Sequence, residues 1–115
     1  MTKLEALWAS AEHWLELWEK VNSGLPLRMK DINSSQCACC QISPHLSTCL
    51  GCPIAEYIGR PSCEGTPYVI VANIVFEYCR SYDYSLVEPL LAAVEAEYVF
   101  LVELALSKTA KLPTV

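Results

Sequence analysis

The segment that decides how this chain folds is CACCQISPHLSTCLGCP, residues 37–53, which holds five of the seven cysteines. Two C-x-x-C pairs are separated by eight residues, and a further cysteine follows the second pair after a gap of ten. A C-x-x-C turn directs two sulfurs at one tetrahedral ion, so two such turns can supply the four ligands of a structural zinc site. The sequence therefore predicts a bound zinc ion whose ligands come from Cys37, Cys40, Cys49, Cys52 and Cys63.

The stretch around this segment, residues 25–65, contains four prolines and three glycines and shows no sustained hydrophobic period. A loop of this length without secondary structure is uncommon in a compact domain, so a metal ion is the expected source of order. Three alternatives stay open. His45 lies between the two pairs and can replace a thiolate, the cysteines can serve as small buried apolar side chains, and Cys49 with Cys52 can form a redox pair.

Residues 2–22 have the pattern of an amphipathic helix. Thr2 and Glu5 have the spacing of a capping box, and Gly24 and Pro26 mark the end. Apolar residues recur at spacings of three and four: Leu4, Leu7, Ala11, Trp14, Trp18 and Val21. Three tryptophans on one helix carry a large apolar area, so we expect most of it to be buried and one edge, that of Trp8, to remain for a partner.

Two further helices are predicted after the cysteine-rich stretch, at residues 66–82 and 85–109. In the helix predicted at residues 66–82, Thr66 is expected to be the N-cap and Pro67 the first helical residue. Residues 68–79 are rich in β-branched and aromatic side chains, so a strand is the competing interpretation. A helix is preferred because four residues share one face, which we expect to be its core face: Val69, Asn73, Phe76 and Cys79.

The predicted fold is one all-α domain spanning residues 1–115, with three main helices and a metal-stapled loop of residues 25–65. The last helix is apolar on most sides, which is typical of a helix that is central in its domain or buried in an oligomer. We therefore expect a homodimer through residues 90–106.

Composition narrows the possible functions. The net charge of −5, with Arg60 as the single basic residue between Asp31 and Cys79, argues against direct binding of nucleic acid. No apolar run is long enough for a membrane span, and residues 1–22 lack the core of a signal peptide, so we expect a cytoplasmic protein with reduced thiols. Phosphate-binding glycine loops, the hydrolase elbow and the deaminase pattern are all missing, which favours a protein that is not an enzyme.

Three motifs together resemble a known group of proteins: C-x-x-C from Cys37, then Cys49-Leu50-Gly51-Cys52-Pro53, then GRPSCEGTPY at residues 59–68. Small cysteine-rich proteins of tailed phages and prophages have a similar pattern, C-x-x-C, C-x-x-C-P and C-x-G-T-P-[YW], leading into a helix. The resemblance covers residues 37–68 and implies a bacterial cytoplasm and metal binding by the five cysteines named above. It implies no catalytic residue, because members of the group mostly lack an assigned activity.

Acidic residues supply the remaining indication of function. Residues 74–106 contain six acidic side chains and a single basic one, Arg80. A surface with this charge can dock on a basic one, for instance on a host protein or complex that binds nucleic acid. The residues expected to bind this partner are Trp8, Glu88, Glu95, Glu97 and Glu103.

By analogy with small phage proteins, the leading interpretation is a non-enzymatic, zinc-stapled inhibitor of a host defence complex such as CRISPR–Cas. A zinc-dependent nucleic-acid-binding regulator and a thiol redox protein are the alternatives.

Overall fold

The structure is a computed structural model of the chain. It describes residues 2–33, 37–41, 52–59, 63 and 65–110. These residues form α-helices and one 3-10 helix, Tyr84–Leu86, and no strand. The α-helices are α1 (Lys3–Asn22), α2 (Met29–Ile32), α3 (Ala38–Gln41), α4 (Pro53–Ile58), α5 (Pro67–Ser81) and α6 (Val87–Ala110). The all-α fold class is therefore confirmed for the described part. The prediction of three main helices is too simple, because three short helices form between α1 and α5.

The core is built mainly by α6, which packs along α1 and also contacts α5. The first helix begins as predicted: Thr2 Oγ1 accepts from the backbone N–H of Glu5, and the Glu5 carboxylate accepts from the backbone N–H of Thr2, each at 3.0 Å. Both helices bury apolar residues at helical spacing. In α1 these are Leu7, Trp14, Leu17 and Val21, and in α6 they are Leu90, Val94, Leu101 and Leu104. The central position expected for the last helix is thus observed.

Burial within the chain changes the argument for a dimer. Of the apolar residues between 90 and 106, Leu90, Val94, Leu101 and Leu104 are covered by the chain itself. Val99 and Leu106 stay exposed. The apolar character of α6 is largely explained by packing within one chain, and the homodimer through residues 90–106 stays a prediction.

Residues 67–81 form a helix, which settles the choice against a strand, but the predicted core face of this helix is wrong. Val71 and Val75 are buried, whereas Val69, Phe76 and Cys79 are exposed, with Phe76 at 57%. Apolar residues occur all around α5, so two stripes fit the helical period equally well. The α5 residues that belong to or pack against the core are Tyr68, Val71, Ala72, Ile74 and Val75.

The short helices depend on local caps rather than on long apolar stripes. Pro53 opens α4, and Gly59, with φ +70°, ends it in the left-handed conformation that glycine adopts without strain. Lys3 of α1 forms an exposed ion pair with Glu56 of α4 at 2.6 Å. In α2, the Asp31 carboxylate accepts from the backbone N–H of Arg28 at 2.8 Å, and His13 bonds the Asp31 carbonyl at 2.9 Å.

Across the described helices, none combines the length and the apolar composition required to cross a membrane.

Candidate metal centre and outer surface

Cys37 and Cys39 lie against the core face of α1, where Ser10 meets both of them. Ser10 Oγ donates to Cys39 Sγ at 3.3 Å and lies 3.7 Å from Cys37 Sγ. The backbone N–H of Cys39 donates in turn to Ser10 Oγ at 3.4 Å. Cys39 is fully buried and Cys37 is half-buried, so this part of the cysteine segment is anchored on α1.

The environment of Cys39 changes the acidity of its thiol. A hydrogen bond with Cys37 and burial in the core raise the pKa of Cys39 well above the ordinary value for a thiol. The Cys39 thiol therefore stays protonated at neutral pH.

Cys52 belongs to the same neighbourhood. It precedes α4 and is buried, and its carbonyl accepts from the backbone N–H of Glu56 at 3.0 Å. Its thiol lies close enough to Cys39 for the charge of a Cys52 thiolate to raise the pKa of Cys39 further. Cys39 and Cys52, which lie on either side of residues 42–51, are thus both buried in the core. The shared metal site of the two C-x-x-C motifs stays a prediction.

Glu97 is a buried carboxyl group on α6. Its side chain projects from the core face of α6 and is only 2% exposed. Burial raises the pKa of Glu97 to about 7. The backbone N–H of Tyr68 donates to the carboxyl group, which lowers the pKa, whereas a negative charge on Cys37 raises it. The second carboxyl oxygen, Oε2, accepts no hydrogen bond from the described residues.

The placement of Glu97 corrects the predicted acidic surface. The sequence prediction grouped Glu97 with Glu88, Glu95 and Glu103 as an exposed residue that binds a partner, and its burial rules out that position. The physical reason lies in the helical period, because Glu97 follows Val94 by three residues and precedes Leu101 by four, both of which are buried. The position of Glu97 on the buried side of α6 therefore determines that its side chain is buried, although it can carry a charge.

Cys63 lies in the turn that starts α5. Its φ of +58° is left-handed, and its carbonyl accepts from Thr66 Oγ1 at 2.7 Å and from the Thr66 backbone N–H at 3.2 Å. Thr66 Oγ1 also caps α5 by accepting from the backbone N–H of Tyr68 at 3.3 Å. The C-x-G-T-P-Y motif therefore has a local role in starting this helix.

The remaining predicted ligands lie outside what the structure describes. Cys40 is described only as backbone within α3, and Cys49 and the alternative ligand His45 fall in residues 42–51, outside the described residues. Among the side chains that are described, no three Cys, His, Asp or Glu groups converge closely enough to hold an ion. Cys79 is distant from this chemistry: it is exposed and its Sγ lies 3.7 Å from the Leu27 carbonyl.

The outer surface contains the other predicted residues. Trp8 is 40% exposed on α1, and Glu88, Glu95 and Glu103 are exposed on α6. Val99 and Leu106 are exposed on the same side of α6, since helix positions 88, 95, 99, 103 and 106 fall on one face. We call Glu88, Glu95, Val99, Glu103 and Leu106 the α6 stripe.

Three residues of the candidate centre were missed by the sequence prediction: Ser10, Cys39 and Glu97. Ser10 and Glu97 had a usable signal, because each is a polar residue at a position of the apolar stripe of its own helix. For Cys39 the sequence contained no such signal. This residue lies inside the first C-x-x-C pair, and only the path of the backbone decides where its sulfur points.

Comparison of the chain with models of protein families, with curated proteins and with solved structures gives no match. The interpretation of the centre and of the outer surface therefore depends on their own geometry and chemistry.

Proposed function

We propose that this protein is a non-enzymatic interaction protein whose cysteine segment is held by zinc and whose α6 stripe docks on a basic partner protein. The observation that carries the proposal is the anchoring of the first C-x-x-C motif on α1, where Ser10 contacts both Cys37 and Cys39. Cys39 lies in α3, which has only four residues, and Cys37 directly precedes this helix. A metal ion is the chemistry that commonly orders such a segment.

Zinc is the favoured metal because thiolate ligands suit it and because tetrahedral sulfur sites with C-x-x-C spacing are typical of structural zinc. Cys37 and Cys52 supply two of the ligands, and the others come from Cys40, Cys49 and Cys63. In this proposal the ion holds the fold together and performs no chemistry on a substrate.

The docking surface is supported by the composition of the α6 stripe. Its three carboxylates are exposed, and α6 has no basic residue between 87 and 107. Val99 and Leu106, at 43% and 53% exposure, give the same face apolar anchors. Carboxylates around an apolar anchor fit a basic protein surface, since charges at the rim speed association and apolar contacts in the centre slow dissociation.

Capture from a bacterial lysate with charge-reversed variants tests the docking surface. The variant reverses Glu88, Glu95 and Glu103 to Lys. The matched control reverses Glu12, Glu16 and Glu19 on the exposed side of α1, which changes the net charge by the same amount. The proposal expects a partner captured by the unmodified chain and by the control and lost from the α6 variant. Equal loss in both variants would indicate a response to net charge alone and would contradict a specific surface.

The more specific proposal, a phage protein that inhibits a host defence complex such as CRISPR–Cas, depends on the resemblance of residues 37–68 and on analogy. The partner captured in that experiment tests it directly: a component of a defence complex supports it, and a partner of another class contradicts it.

A further inference from the structure

The end of α5 has the same backbone conformation as the end of α4, but with a tyrosine in place of a glycine. Tyr82 follows α5 with φ +54°, in the left-handed region, and its backbone N–H donates to the Tyr78 carbonyl at 2.8 Å. The corresponding residue after α4 is Gly59, with φ +70°. A bulky side chain strains the backbone in this region, whereas glycine does not. The side chain of Tyr82 therefore needs an explanation beyond the ending of the helix.

Burial in the core does not provide that explanation. Tyr82 is 71% exposed, and Tyr84, two residues further on, is 79% exposed. Both rings meet the ring of Tyr78 edge to face, with centroid distances of 6.4 and 6.3 Å and interplanar angles of 67° and 71°. Tyr78 is half-buried and so joins the two exposed rings to α5. We call Tyr78, Tyr82 and Tyr84 the tyrosine cluster.

The charges next to the tyrosine cluster favour a cation as its ligand. Asp83 lies between two members of the cluster in the chain, and its Oδ1 accepts from Ser85 Oγ at 2.7 Å and from the Ser85 backbone N–H at 2.9 Å. These bonds lower the pKa of Asp83, so the group is a carboxylate at neutral pH. Arg80 is the single basic residue between positions 61 and 107, and it binds Glu77 Oε2 at 2.8 Å. Its positive charge is therefore already paired.

We propose that the tyrosine cluster binds an arginine side chain of the basic partner protein. This inference rests on the proposed docking of such a partner and names a group by which the partner is recognised. A guanidinium group stacks on the face of a tyrosine ring, because the negative charge of the π system attracts it. The carboxylate of Asp83 adds to that attraction, since it carries the opposite charge.

The position of the tyrosine cluster continues the α6 stripe. The 3-10 helix Tyr84–Leu86 contacts both α5 and α6, and α6 begins at the next residue. Glu88, the first member of the α6 stripe, follows Tyr84 by four residues. A partner that lies along the stripe therefore reaches the cluster at the N-terminal end of α6. Tyrosine and arginine are both enriched among the residues that dominate binding energy at protein interfaces.

Binding of short peptides to the full chain tests the proposal. The first peptide alternates arginine and glycine, and two others have lysine or citrulline, the uncharged analogue, at every arginine position. NMR of the tyrosine ring signals locates the peptide and gives its affinity at physiological ionic strength, where separated surface charges are screened beyond about 8 Å. The arginine peptide should shift the ring signals of the tyrosine cluster and bind more tightly than the other two.

Substitutions of single tyrosines provide the second readout. Tyr84→Ala should weaken binding of the arginine peptide by about two- to fivefold, the effect of one cation–π contact at an exposed site. Tyr57→Ala is the matched control at a tyrosine that is 52% exposed on α4, and it should leave the affinity unchanged. Tyr82→Gly should weaken binding as Tyr84→Ala does, without lowering the urea midpoint of unfolding, because glycine adopts the left-handed conformation without strain.

The possible results separate this inference from the proposed docking surface. Equal affinity for the arginine and lysine peptides, lost when Glu88, Glu95 and Glu103 are reversed and kept in the tyrosine variants, supports the acidic surface and overturns the arginine site. A citrulline peptide that binds as tightly as the arginine peptide overturns it too, as does a lower urea midpoint in Tyr82→Gly, which would assign that ring to the fold. A chain that binds none of the peptides overturns the arginine site, while the lysate capture decides on the α6 stripe independently.

Discussion

The helices α1, α5 and α6 and the cysteine segment between α1 and α5 are built by different physics. The long helices bury apolar stripes against one another, with Leu7, Trp14, Val94 and Leu101 fully or nearly fully covered. The region between α1 and α5, which includes the cysteine segment, has three short helices. They combine local caps and the contacts of Cys37 and Cys39 with Ser10 with single buried apolar side chains: Leu27, Ile32 and Ile54. The comparison teaches that hydrophobic period determines one part of this fold, whereas the other depends on single buried residues and on side-chain chemistry at a few positions.

The largest expected effect comes from a cysteine of the segment. Cys52→Ser should abolish zinc binding and lower the free energy of unfolding by on the order of 5 kcal/mol or more, because structural zinc contributes roughly 10–16 kcal/mol of apparent binding free energy. Cys79→Ser is the matched control, since this exposed thiol should cost less than about 0.5 kcal/mol. Urea unfolding followed by circular dichroism measures both. If the two variants unfold at the same urea concentration, zinc does not hold the segment.

The next largest effect separates the two tryptophans of α1. Trp14 is 5% exposed and packs edge-on against Tyr68 of α5, so Trp14→Ala should cost about 3–5 kcal/mol. Trp8 lies on the outer side of α1, and Trp8→Ala should cost less than about 1 kcal/mol. Chemical denaturation gives both values, and zinc content under native conditions should stay the same in both variants. Loss of zinc from Trp14→Ala under those conditions would show that the segment has no stability of its own.

A smaller effect depends on pH through Glu97. In the zinc-free chain its pKa of about 7 exceeds the ordinary value of 4.5. The folded state therefore binds more protons than the unfolded state between these values, so the free energy of unfolding should fall as the pH rises from about 4.5 to 7. The decrease should be at most about 3 kcal/mol.

Glu97→Gln provides the comparison for this pH effect, because all other groups titrate alike in both chains. Urea unfolding at pH 5 and pH 7.5 should show a smaller decrease in the variant than in the unmodified chain. Equal decreases would mean that the carboxyl group is not buried in the folded chain.

The smallest effect concerns the cap of α5. Thr66→Ala removes the oxygen that accepts from the backbone N–H of Tyr68 and should cost about 1 kcal/mol, whereas Thr66→Ser keeps the hydroxyl and should cost less. Thermal unfolding of the three chains measures the difference. If Thr66→Ala and Thr66→Ser are equally stable, the hydroxyl group does not cap α5.

The long helices were largely predictable because their signals are local. The capping box at Thr2 and Glu5 and the cap at Thr66 both occur where the sequence predicts them. The core face of α5 was not predictable from its own residues. Val69, Ile70 and Phe76 are as apolar as Val71 and Val75, and the helices that pack against α5 decide which of them are buried.

Less of the candidate centre could be predicted. A single ion shared by the two C-x-x-C motifs stays a prediction, and the contacts of Cys37 and Cys39 with Ser10 had no signal in the spacing of the cysteines. The environment of Glu97 was predicted wrongly because its charge was given more weight than its place between Val94 and Leu101. A carboxyl group on an apolar stripe is itself an indication of a functional site, since burial without a partner is costly.

The most direct test of the account is the metal content of the chain purified without a histidine tag and under reducing conditions. Native mass spectrometry together with elemental analysis should find one zinc ion per chain, removed by a chelator with loss of the ordered cysteine segment and with α1 and α6 still helical. A chain that is free of metal and has the same circular dichroism spectrum and the same unfolding midpoint with and without added zinc would contradict the account.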